Sequence, residues 1–338
     1  LPGTVSTFGF GYNIDSELLC MLAAAGEATY SFIPDAGFVG TVFVNTMSNL
    51  LVTMAREVHF DLGPEEGAEI LEVKGGLVSQ SASEGIRVNL GTLQYGQSRD
   101  VIIRMKIPAG AADVGFMVGR LQWETVSGTK QESDTIEASA ATVESNVDKV
   151  EPHVHRSRFV DTIASFKDMA HMKEESLSQA HERLRSAAEL VAGSSSSGQE
   201  FVKALLEDMT GQSSMALSKL DWFHKWGRHY LPSIMFAHKV QQCNNFKDPS
   251  VQLYGGELFK DIQEKADELF NTLPAPTPSR ASRPSYSMMS GSGSAAPAAA
   301  PVSMAAYNDR YGVCIDAASP TELANGGVRR VGDLRKGE

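Results

Sequence analysis

The spacing of the apolar residues changes twice along the chain, and no other feature limits the fold as tightly. Up to about residue 56, short β-prone runs alternate with apolar residues at helical spacing. From 57 to about 143 the period falls to two, and beyond Pro152 it returns to that of a helix. A period of two and a period near 3.6 place side chains on incompatible faces, so the chain must divide into units rather than form one uniform layer.

In the first stretch, residues 5–10 are rich in β-formers and close on Gly9 and Gly11. Asp15 then stands where a helix N-cap belongs, with Glu17 in the first turn. Ile14, Leu18, Leu19 and Leu22 recur at helical spacing, and Gly26 is placed as the C′ residue. A second strand over 29–33 precedes Val39, Val42, Phe43, Met47, Leu50, Leu51 and Met54, a continuous apolar stripe. Strands alternating with helices predict an open α/β sheet, and ligands of such sheets bind beyond the carboxyl ends of the strands. The loop 9–13 lies at such an end.

The stretch VSTFGFGYNIDSELL…AGEATYSFIPD resembles the last third of a von Willebrand factor A (vWA) domain, of the intracellular type found beside RING or U-box modules. The resemblance covers about the first 56 residues. It implies that Gly11, Tyr12, Asn13 and Asp15 line the binding rim. In that family a D-x-S-x-S loop after the first strand, with a Thr and an Asp from later loops, holds a divalent cation. All of those positions would lie upstream of Leu1, so the resemblance implies no metal ligand and no cofactor in this chain. A divalent cation is expected only in a complete vWA domain. Asp15 also has a plain structural reading, as the helix cap.

Between 57 and 146, Val58, Phe60 and Leu62 alternate with polar neighbours, as do Ile86, Val88 and Leu90, then Val101, Ile103, Met105 and Ile107. Gly, Pro and Ser clusters bound each run, Gly119 is a candidate bulge, and Ser127-Gly128 a turn. Short alternating strands without helices between them predict an antiparallel sandwich of about seven strands. Trp123 reads as core.

From 150 to 273, Phe159, Ile163, Phe166 and Ala170 open a stripe continued by Leu177, Leu184 and Ala188. Further helices are expected over 199–208, 215–230, 231–242 with Pro232 in its first turn, and 257–270. Short connections favour antiparallel packing, as a bundle or a helical lid on the sandwich. His229, His238 and Cys243 invite a metal or thiol hypothesis, but their spacing does not converge on one helical turn. His153 and His155 would share a face of an extended strand, with no further ligand spaced to join them. The block resembles a small domain that lies between a vWA domain and a Hint (hedgehog/intein) domain in other proteins.

Residues 274–306 have the Ser/Ala/Pro composition of a disordered linker. The final segment, 307–338, carries Cys314 and then ELANGGVRRVGDLRKGE, where Asn325-Gly326 suits the tip of a two-strand turn. This resembles the truncated start of a Hint domain, whose first residue is a nucleophilic Cys. That resemblance implies that the Cys314 thiolate attacks the Val313 carbonyl, breaking the amide to form a thioester and freeing an amine. The His and Asn residues that assist the step in the family would lie beyond Glu338, so Cys314 is expected to act only if a complete Hint domain follows. An ordinary free cysteine in a hairpin is the other reading.

A formal charge of −11 leaves no basic excess for phosphate backbones, which argues against nucleic acid. No apolar run reaches the length of a membrane span. Three widely separated cysteines fit a reducing, cytoplasmic setting, and a start at Leu1 reads as a fragment. The sequence therefore predicts a multidomain α+β chain: the end of an α/β vWA sheet, an antiparallel β-sandwich, an α-helical unit and a disordered linker. Its expected role is a non-enzymatic protein-interaction scaffold with protein partners, linked by family resemblance to ubiquitin-ligase assemblies. The alternatives are cargo of a self-processing Hint precursor and, third, a hydrolase hidden in the helical region.

Overall fold

The computed structural model describes residues 3–109, 114–139, 147–245, 248–274, 320–322 and 328–330. Most of the expected linker, Cys314 and the Asn325-Gly326 tip lie outside the described residues. The fold is mixed α/β, with a mainly antiparallel sheet and several helices.

Strands β1 (Thr7–Phe10) and β2 (Tyr30–Ile33) form a parallel ladder, in register from Thr7↔Tyr30 to Phe10↔Ile33, joined through helix α1 (Ser16–Ala25). A parallel pair needs such a crossover. Asp15 Oδ1 accepts from the Leu18 amide at 3.0 Å and starts the helix. Gly26 ends it with φ −90°, so it is not the left-handed residue its position suggested; Glu27, at φ 51°, is. Gly26 is required for space, because a Cβ there would lie 2.5 Å from Val5 Cβ.

Helix α2 (Val39–Leu51) follows a 3-10 turn at Ala36–Phe38. Much of its expected apolar stripe faces outward: Phe43, Met47, Leu50 and Leu51 are exposed, while Thr41, Asn45, Ser48 and Asn49 are buried. Hydrogen bonds explain the inversion. Asn45 Nδ2 donates to Asn245 O at 2.7 Å and Asn49 Nδ2 to Cys243 O at 2.8 Å, tying α2 to the helical stretch through backbone carbonyls that need partners. Met54 belongs to the next strand.

Eight strands fill the middle: β3 (Thr53–Pro64), β4 (Glu69–Val73), β5 (Ser79–Ala82), β6 (Gly85–Gln94), β7 (Ile103–Lys106), β8 (Gly115–Thr125), β9 (Lys130–Glu132) and β10 (Ile136–Ser139). The main sheet runs β10-β8-β3-β6-β5 with β9 on β8, and β4 pairs with β7 apart from it. Ile70, Val73 and Ile103 of the smaller ladder pack on Val58, Leu62, Val88 and Leu90 of the larger. Gly119 pairs in regular register and is no bulge; the Phe60 ring would lie 3.0 Å from a Cβ there. Ser127-Gly128 does turn the chain between β8 and β9, with Gly128 at φ +85°.

The helical stretch comprises α3 (Val147–Ala164), α4 (Glu174–Ala192), α5 (Glu200–Asp208), the short α6 (Ser214–Ala216) and α7 (Leu220–Trp222), α8 (Arg228–Val240), α9 (Pro249–Gln252) and α10 (Glu257–Thr272). Pro152 lies inside α3, and the Asp148 carbonyl that its missing N–H leaves open accepts from Gln199 Nε2 at 2.7 Å. Pro232 is likewise interior to α8, downstream of a π turn at Phe223–Gly227, so the expected break before Leu231 does not occur. His153 and His155 sit on α3 rather than on a strand, which turns them to different sides of a helix. Tyr30, Phe32 and Ala23 share one apolar cluster with Phe159, Leu184, Leu205 and Ile234, so the helices pack directly on the β1–β2 ladder. Helix α10 packs on α2. Near the end of the chain, β11 (Pro320–Glu322) pairs antiparallel with β12 (Val328–Arg330), the strand pair expected there.

Candidate functional site

The loop between β1 and α1 brings Gly11, Tyr12, Asn13 and Asp15 to the carboxyl end of β1. Gly11 takes φ +74° and its N–H donates to Ile33 O at 2.9 Å, a conformation that suits glycine. Tyr12, Asn13 and Asp15 are exposed; the Tyr12 ring lies 6.1 Å from that of Phe32, with Lys225 Nζ 5.4 Å above it.

Behind this rim is a residue that sequence reasoning missed. Ser16 Oγ lies 2.5 Å from His229 Nδ1 and 2.9 Å from the Tyr30 hydroxyl, and all three residues are buried. A serine beside a histidine suggests nucleophilic chemistry, but the surroundings oppose it. The neighbour of His229 Nε2 is Arg228 Nε at 3.4 Å, a cation where an activating carboxylate would stand. Burial first, and then the Arg228 charge, push the His229 pKa down to about 4. The histidine is neutral, and it pins α8 to the start of α1.

His238, nine residues on, enters a second buried network. Its Nδ1 lies 2.7 Å from the Tyr254 hydroxyl and its Nε2 3.2 Å from Ser250 Oγ. Asp208 Oδ2 accepts from the Ser250 amide at 3.0 Å and from its hydroxyl, while Asp248 accepts from the Tyr230 hydroxyl at 2.7 Å and from Asn245 Nδ2. Burial, and the charge of Asp248, push the Asp208 pKa up to about 8; burial pushes Asp248 up to about 6 and His238 down to about 3. Ser250 and His238 are fully buried, so no substrate reaches this pair. The hydrolase motive attached to His229 and His238 therefore dissolves into two structural networks.

Cys243 is buried, its Sγ donating to Gln252 Oε1 at 3.3 Å, and burial together with Glu17 pushes the Cys20 thiol up to about 12. Cys20 is not prepared as a thiolate. Among the described residues no three His, Cys, Asp or Glu side chains come together as a metal site, and no helix is long and apolar enough to cross a membrane.

The two faces of the ladder are the other feature here. Among the described residues β1 pairs only with β2. Side chains alternate across a strand. Tyr30 and Phe32 face the cluster containing Ile14 and Leu19, whereas Phe8 and Ile33 face Val42, so α1 and α2 cover opposite faces. Leu18, Met21 and Leu22 of α1 and Phe43, Met47 and Leu50 of α2 form exposed apolar stripes, with Phe10 exposed on β1 itself. Phe43 stacks on Phe8 at 4.8 Å. The periodicity of both stripes was legible; that they point away from the core was not.

Residues 199–268 match a family described as "VWA / Hh protein intein-like", in line with the resemblance of the helical block. No curated protein matches the chain. Among solved structures, a von Willebrand factor type A protein from Catenulispora acidiphila is similar at 19% identity and a TM-score of 0.39, covering 60% of this chain and 50% of its own. The human COPII-coat protein Sec24c is similar at 9% identity and a TM-score of 0.41, covering 69% of this chain and 31% of its own. The chain thus spans half or less of the length of these two proteins.

Proposed function

We propose that the chain is a non-enzymatic protein-interaction module built on the end of a vWA-type α/β sheet, braced by a β-sandwich and by the helical block. The exposed rim at the carboxyl end of β1, with Tyr12, Asn13 and Asp15, is the observation that carries this reading. A partner seated there would meet the Tyr12 ring, with Lys225 Nζ 5.4 Å above it, and Asn13 beside it. Attachment to ubiquitin-ligase assemblies rests on family resemblance alone.

The test is selection of a random peptide library displayed on phage against the purified chain. Tyr12→Ala and Asn13→Ala should each weaken the enriched peptides, Tyr12→Ala by about tenfold or more. Failure to enrich any peptide sensitive to these substitutions sinks the reading.

A second reading rests on the resemblance of the final segment to a Hint start, with the β11–β12 pair lying in it: a self-processing precursor with Cys314 as the acyl-shift nucleophile. Expression of the complete reading frame should then yield a species ending at Val313 that Cys314→Ala abolishes, as read by intact-protein mass.

A further inference from the structure

A cavity of about 440 Å³ opens where the α1–β2 link, α2, β6 and α8 meet, and none of the rim residues lines it. Arg99 lines it with Nη2 donating to Thr92 O at 2.9 Å, while its Nη1 is closed off from solvent and has no hydrogen-bond partner. Lys239 also lines it. Among the described residues neither cation has a carboxylate within ion-pair distance. Asp100, next to Arg99 in sequence, turns its carboxylate to His153 Nδ1 at 3.5 Å. The carboxylate in the cavity wall is that of Glu27, which is exposed and accepts from Asn89 Nδ2 at 2.8 Å.

The floor points the same way. Asn244 is 2% exposed, lines the cavity, and leaves both Oδ1 and Nδ2 unpaired. Leu90, Phe236 and Val240 supply an apolar wall. Buried polar groups without partners are uncommon in native folds, and the half-buried Arg99 and Lys239 carry charge that no carboxylate meets. Water can satisfy an amide but supplies no negative charge to Arg99 or to Lys239, whose Nζ lies 5.7 Å from the centre of the Phe236 ring.

We propose that this cavity binds a small organic anion, its carboxylate or phosphate head held by Arg99, Lys239 and Asn244 and its apolar body against Phe236 and Leu90. The volume suits a small-molecule ligand. Burial, and then the Arg156 charge, lower the pKa of Arg99 to about 10, and burial lowers that of Lys239. Because the walls come from separate stretches of the chain, occupancy would brace their packing and raise thermal stability. The inference is independent of the peptide-docking reading.

The test is calorimetric titration of the full chain with phenyl phosphate and with benzoate at fixed ionic strength, and with phenol as the uncharged control. Saturable binding of either anion, with phenol weaker by about tenfold, is expected. Lys239→Gln and Arg99→Gln should each weaken it by about tenfold, and phenyl phosphate against benzoate identifies the head group. Arg99 also supports the Thr92 carbonyl, so if its variant fails to fold, Lys239→Gln decides alone. Absence of saturation by both anions, binding of phenol as tight as theirs, or an affinity unmoved by Lys239→Gln overturns the proposal.

Discussion

The helical stretch and the β stretch fill their interiors differently. Helices α3, α4, α5 and α8 build one large cluster that takes in Tyr30 and Phe32 of the ladder, with Phe159, Ile163, Val202 and Leu205 fully enclosed. The sheet has a thin core, whose fully buried members are Ala55, Val58, Leu62, Val88 and Leu90, while β5 and β9 are exposed throughout. The helices therefore hold the molecule together, and the sheet leans on them through Arg156, whose Nη1 donates to His238 O at 3.0 Å and Nη2 to Asp100 O at 2.8 Å.

Truncations on the two sides test this directly. Phe159→Ala should cost about 4 kcal/mol and Leu121→Ala, half-buried on β8, about 1 to 2 kcal/mol, both read by urea unfolding. Equal losses would break the comparison. Arg156→Met should cost about 2 kcal/mol, because it takes the donor from the His238 carbonyl and one of two from the Asp100 carbonyl, which keeps Gln241 Nε2 at 2.9 Å, at the junction of α3, α8 and the sheet. Hydrogen exchange should then rise in the sheet more than in α4 and α5.

The charged network in the helical core gives an effect of pH. Asp208 moves from 3.8 to about 8 on folding, so its contribution is fully present below pH 3.8 and is lost as pH rises toward 8. Asp248 does the same up to about 6. His229 and His238, lowered to about 4 and about 3 from 6.5, contribute above pH 6.5 and lose that contribution as pH falls. The two pairs oppose one another between about pH 4 and 6, and Asp208 acts alone above 6.5. Stability should therefore fall by about 2 kcal/mol from pH 6.5 to 8. Asp208→Asn, which mimics the protonated carboxyl, should flatten that limb; an unchanged slope would contradict the assignment.

Much of the fold was legible because period is local information. The α1 cap at Asp15, the Ser127-Gly128 turn and the strand pair around Asn325-Gly326 all follow from short-range rules. What escaped depends on partners far away in sequence. Asn45 and Asn49 are buried because carbonyls some two hundred residues on need donors, and that need sends Phe43 and Met47 outward. Pro152 sits inside a helix because Gln199 takes over its vacated carbonyl. At the rim, Tyr12 and Asn13 follow from strand and loop placement, whereas Ser16 becomes notable only when α8 delivers His229 to it. No local pattern marks Arg99 or Lys239 as unpaired.

The smallest effect comes from the sheet's own ion pair. Arg87 and Asp61 stand opposite one another on β6 and β3, and the guanidinium meets the carboxylate through Nε at 2.6 Å and Nη2 at 2.7 Å. The Arg87 hydrogen bonds hold the Asp61 carboxyl below its usual range, so the pair contributes above the unfolded pKa and is lost in acid. Both side chains reach solvent, at 42% and 26% exposure, and screening reduces what the geometry offers. Arg87→Gln should therefore cost about 0.5 kcal/mol at neutral pH and nothing once Asp61 is protonated. A loss as large as that of Arg156→Met would mean that the sheet carries its own polar anchor, and the division of labour between the two regions would have to be redrawn.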